Sequence, residues 1–202
     1  MKKFSQRGLL LFGVMLAVSA FVVPSMASAA SWFQVGTTHQ LFSPNLAFTA
    51  TLPVLGQAGW QCNGTEFDAD VVTANTIEFT SGRFVDCMGT QGQSNCTVTA
   101  TGTGFPWTAT ATATTNVEAH GGRITAVFEN TPGNPNACQT AATITLTGTL
   151  TGGLWNPTTN ELLLTDPQTH GLTEHVLGTG LNASAFVSGT FRDTTNTWRM
   201  FM

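Results

Sequence analysis

Few side chains in this sequence are of a type and spacing that could do chemistry. His170-Gly171-Leu172-Thr173-Glu174-His175, with Asp166 upstream, is the densest polar cluster and would offer two imidazoles and a carboxylate to a metal ion. The spacing matches neither His-Glu-x-x-His nor its inverse, and Gly171 and Thr173 predict a loop in place of the helix that would put both histidines on one face. Glu66, Asp68 and Asp70 alternate along a predicted strand and so share one face. Such hard oxygens suit calcium, although a solvated acidic face is the commoner outcome. Hydrolase chemistry finds less support: there is no Gly-x-Ser-x-Gly elbow, and Ser81, Ser94, Ser184 and Ser188 lack any flanking signature. We therefore expect no catalytic residue, no cofactor and no metal site.

Cys62, Cys87, Cys96 and Cys138 are an even set, read as two disulfides with three pairings open. Spacing does not fix the pairing. The arrangement we favour joins Cys87 to Cys96 across the short loop of residues 88–95, and Cys62 to Cys138, worth roughly 2.7 and roughly 4.5 kcal/mol by loop entropy. Zinc or redox chemistry would want Cys-x-x-Cys pairs, and there are none. Five tryptophans, Trp32, Trp60, Trp107, Trp155 and Trp198, are the flat faces a sugar could stack on. Trp60 and Trp107 are expected to close the core at strand ends, where an indole buries a large apolar area. Trp155, set among Gly153, Asn156 and Pro157, is expected to be exposed and is the candidate ligand contact.

The N-terminus reads as a cleaved secretory signal over residues 1–29. Lys2, Lys3 and Arg7 precede an apolar run over residues 9–23, and Ala27-Ser28-Ala29 supplies the small-residue cleavage pattern. The run is shorter than the ~20 residues that span a bilayer, and no later stretch could span as a helix. Beyond residue 30 the only basic residues are Arg83, Arg123, Arg192 and Arg199, against 11 Asp and Glu, so the formal charge moves from −4 to −7 on cleavage. Nucleic acid, whose phosphates demand clustered Lys and Arg, is excluded as a partner. Threonine occurs 36 times, and charged residues are 9% of the chain, far below the ~25% of an average domain.

These residues sit on period-two segments broken by Gly, Asn and Pro. Strands are predicted over residues 45–52, 61–72, 76–85, 97–103, 107–115, 123–130, 143–151 and 161–165, with a Gly-rich segment to about 183. Residues 184–192 and 197–202 are expected to form a terminal hairpin around Asp193-Thr194-Thr195-Asn196. In residues 108–114 every Thr falls on one face and every Ala on the other, so the Ala side needs close contact with a second layer. Residues 97–103 with Trp107, and 143–149 with Trp155, are near repeats, one reading of which is a duplication giving equivalent strands in two sheets. The fold expected over residues 30–202 is all-β: a single disulfide-stapled antiparallel β-sandwich or flattened barrel of about ten strands. Against an outer-membrane barrel stand the four cysteines and the lack of Tyr for interfacial girdles.

Leu46-Ala47-Phe48-Thr49-Ala50, Cys62, Phe79-Thr80-Ser81-Gly82, Cys87, Cys96, Val98-Thr99-Ala100-Thr101 and Phe105-Pro106-Trp107-Thr108 together resemble the secreted alkane-oxidation activator (PraB-type) proteins over roughly residues 45–150. The resemblance implies an extracellular, biofilm-matrix or surface-associated protein with no catalytic residues to carry over. The function expected is a non-enzymatic structural or adhesive protein. Flat Thr-rich strands without edge lysines would let it self-associate through strand edges, with residues 31–56 as a donor strand or as the domain's own first strand. The other function expected is a carbohydrate-binding module using Trp155.

Overall fold

The computed structural model describes residues 31–32, 35–52, 56–91, 93–94, 96–112, 115–133, 138, 142–156, 158–165, 170–176, 181–195 and 200–201. Residues 1–29, expected from sequence to be a cleaved signal, lie outside them. The described chain is all-β, with strands β1 (Ser31–Trp32), β2 (Thr38–Ser43), β3 (Leu46–Leu52), β4 (Gly56–Thr73), β5 (Thr76–Thr90), β6 (Cys96–Thr103), β7 (Trp107–Ala111), β8 (Asn116–Asn130), β9 (Ala142–Asn156), β10 (Glu161–Leu164), β11 (His170–Val176), β12 (Leu181–Asp193) and β13 (Met200–Phe201). All pairings are antiparallel, and β2 to β12 form one sheet of 11 strands.

Strand register shows how that sheet is built. β2 and β3 lie end to end along β4, from Thr38 opposite Asp70 to Leu52 opposite Gly56. β6 and β7 lie end to end between β5 and β8, and β10 and β11 between β9 and β12. Three staves are therefore split strands, and β4, β5, β8, β9 and β12 are continuous ones. The last stave returns to the first: β12 pairs β3 from Ala185 opposite Ala50 to Ser188 opposite Ala47, and β2 at Arg192 opposite Phe42. The meander of eight staves thus closes into a ring. Closure removes free edges, so self-association through strand edges has no edge to use in the ring. Residues 38–52 supply the ring's own first stave, not a donor strand.

Alternation decides what fills the ring. β7 buries Trp107, Ala109 and Ala111 and turns Thr108 and Thr110 outward, as the Thr/Ala pattern requires up to the end of that strand. Phe48 stacks on Trp60 at 4.7 Å, and Trp60 meets Phe128 edge-on at 5.8 Å, joining three staves in one aromatic layer. Phe67, on β4, contacts Phe79, Phe84, Trp107 and Phe191 and so joins that stave to three more. Gly82, opposite Phe67, leaves room for that ring: a Cβ there would stand 2.4 Å from it. Inward positions are apolar and outward ones Thr-rich, the reverse of a lipid-embedded barrel.

The disulfides differ from the arrangement favoured by sequence. Cys62 bonds Cys87 and Cys96 bonds Cys138. Strand register is the reason, since the β4–β5 hairpin sets Cys62 directly opposite Cys87. Asn130, opposite Cys96 in the β6–β8 ladder, accepts a hydrogen bond from the Cys138 amide at 2.8 Å and so brings Cys138 alongside Cys96.

Other differences have similar local causes. The Gly-rich stretch contains β11, with a register shift at Gly171 between His170 and Leu172. Of the predicted terminal hairpin, residues 196–199 and 202 lie outside the described residues; β12 ends at Asp193, and Met200–Phe201 pairs with Ser31–Trp32 instead of β12. The two near-repeats are not in separate sheets, because β6 and β9 flank β8 on its two sides.

Candidate functional site

Three features of the ring have functional content: its interior, its seam and its outer face. The interior holds a cavity of about 100 Å³ to which all eight staves contribute, among them Phe48, Phe67, Trp107, Ile124, Leu146 and Phe191. Besides the Trp107 indole, His120 is the one polar side chain among the lining residues. Two disulfides, closing separations of 25 and 42 residues, stabilise the ring around this cavity by about 3.5 and about 3.9 kcal/mol of loop entropy.

At the seam, His39 on β2 and Asp193 on β12 face each other with side chains only 3% exposed, and His39 Nδ1 lies 3.0 Å from Asp193 Oδ2. His39 Nε2 lies 2.7 Å from Thr37 Oγ1, and Asp193 Oδ1 accepts from the Thr195 amide at 2.9 Å and from its hydroxyl. With a proton on Nδ1 the imidazole donates to Asp193, while Nε2 meets the Thr37 hydroxyl. Hydroxyl, imidazole and carboxylate stand in the order of an acyl-transfer triad. Here, however, the imidazole is enclosed, with Thr195 Oγ1 at 3.5 Å from its Nδ1 as a further neighbour. The chain segments it joins are 154 residues apart, and beside it Thr194 donates from its amide to Gln40 O at 2.9 Å. The network clasps the first stave to the last. Sequence offered no signal for it, because nothing about His39 or Asp193 in isolation marks them as partners.

The outer face is a lattice of threonines. Thr97, Thr99, Thr101 and Thr103 are exposed along β6, and register carries the rows across the sheet. Thr101 stands beside Thr125 and Thr125 beside Thr145; Thr103, Arg123, Thr147 and Thr173 form the next row. Neighbours are spaced at about 4.8 Å between strands and about 6.7 Å along them.

The sequence-predicted residues divide accordingly. Trp155 is not exposed: at 2% it belongs to the core, as do Trp60 at 1% and Trp107 at 6%. Its polar neighbours misled, because Asn156 is on the outward phase of β9 and Trp155 on the inward one. The Trp32 side chain and Trp198 lie outside the described residues. Glu66, Asp68 and Asp70 do share the outer face of β4, each with a different neighbour: Arg83 at 2.6 Å, Ser81 at 2.6 Å and Thr38 at 2.6 Å. His170, Glu174 and His175 fall on a strand instead of a loop; their side chains, and Asp166, lie outside the described residues. No group of three metal-binding side chains is found among the described residues. Compared with protein-family models, curated proteins and solved structures, the chain matches none.

Proposed function

We propose that this chain is a non-enzymatic extracellular protein of the cell surface or biofilm matrix, adhesive through the threonine face of its closed ring. The observation that carries the reading is the contiguous outward threonine array on β6, β8, β9 and β11. Threonine presents a hydroxyl and a methyl without charge, and its branched side chain is stiff at χ1, so little rotamer freedom is lost when it is fixed against a partner. Hydroxyl-rich matrix polymers offer the complementary surface. Two disulfides fit an oxidising compartment and give durability there. The likeness of residues 45–150 to the PraB-type proteins points the same way. A glycan-binding module built on Trp155 loses its contact residue, since Trp155 is buried in the core.

The test compares the oxidised protein with a Thr101→Lys/Thr145→Glu variant for retention on matrix or cell envelopes isolated from producing cells. Retention is expected to fall about tenfold, equivalent to about 1.4 kcal/mol, with the unfolding midpoint unchanged. Unaltered retention would contradict the assignment of adhesion to this face.

A further inference from the structure

Independently of adhesion at the outer face, we infer that the ring interior is a binding site for one small uncharged apolar molecule, the size of a single aromatic ring or a short alkyl chain. The cavity of about 100 Å³ lies among side chains from all eight staves and is partly open to solvent, and His120 is the only polar side chain in its lining besides the Trp107 indole. A water molecule needs two to four polar partners, which this lining does not offer, so an apolar occupant is favoured. It would regain the dispersion contacts that the walls of a void lack. Its size is bounded by comparison with a cavity of ~150 Å³ that takes benzene: at about 100 Å³ this one holds nothing larger.

A route from solvent to the cavity is built into one wall. Between β8 and β9 the register shifts twice, at Val117/Ala119 and at Ala119/Gly122, so the ladder is interrupted beside the cavity. His120 spans that interruption, with Nδ1 3.2 Å from Thr149 Oγ1, and its side chain is 44% exposed although it also lines the cavity. Gly122 lies over Trp107, and a Cβ added there would meet only that ring, at 3.9 Å. The entrance is thus a bulge covered by one mobile-sized side chain and floored by a glycine that tolerates substitution.

The experiment is a titration of the oxidised protein with benzene, read on the methyl NMR signals of Val117, Leu146 and Val187, all of which line the cavity. Saturable shifts confined to these interior methyls are expected, with a rise in Tm of about 2–4 °C at saturation. Ala109→Leu, which projects into the cavity from a residue 1% exposed, is expected to abolish the shifts without lowering Tm. Gly122→Val, which adds a side chain to a residue that itself lines the cavity beside Trp107, is expected to slow exchange about tenfold or more, whatever its effect on the end-point shifts. Absence of saturable shifts in the unaltered protein, or shifts that survive Ala109→Leu, would overturn the site. Unchanged exchange in Gly122→Val would overturn the route.

Discussion

Individual residues in this molecule carry more structural than chemical weight, and the His39–Asp193 pair shows why. Both side chains are 3% exposed, and His39 Nδ1 and Asp193 Oδ2 meet each other at 3.0 Å. Asp193→Ala strands the His39 Nδ1–H in a buried site, which is expected to cost about 1–3 kcal/mol in urea unfolding. Glu161 makes a second prediction. The Thr159 side chain, and then Arg192, hold its carboxyl below the ordinary value of 4.5, against the opposing effect of burial. A depressed carboxylate contributes stability in full above its unfolded value and loses it as pH falls through the folded one. Glu161→Gln should therefore show a shallower loss of stability than the unaltered protein when unfolding midpoints are followed downward from about pH 6, toward and below the ordinary carboxylate range.

At the scale of elements, period-two alternation was enough to locate most strands, because each wall of the ring buries one face and wets the other. It missed the continuity of the staves. β8 begins at Asn116, not near residue 123, since Gly121 and Gly122 read as a break where the structure makes a bulge. The site was less legible than the strands. Trp155 looked exposed because composition around a residue says less than its phase on the strand, and phase depends on a partner ladder the sequence does not display. Disulfide pairing failed for the same reason: loop length bears on how much a bond stabilises, whereas strand register decides which bond can form. Peptide mapping without reduction should recover Cys62 with Cys87 and Cys96 with Cys138. Replacing Cys62 and Cys87 together by alanine should lower stability by about 3.5 kcal/mol, against a separation of 25 residues.

The whole molecule gains its properties from closure. A ring with no free edge withdraws the strand-pairing surface that a Thr-rich, lysine-free sheet would otherwise expose, and so moves any adhesive role to the outer face. The same closure encloses the apolar interior. Both depend on the seam, where β12 meets β2 and β3 across some 150 residues of chain, a closure that local propensity cannot supply and that the polar clasp at His39 and Asp193 pins in register. Hydrogen exchange at this seam is the most direct measurement. Amides of residues 47–50 and 185–188 that face each other across the β3–β12 ladder should exchange as slowly as those at the centre of β4–β5, through global unfolding. Exchange of those seam amides near the rate of an open strand edge, while β4–β5 stays protected, would contradict the closed ring and the readings built on it.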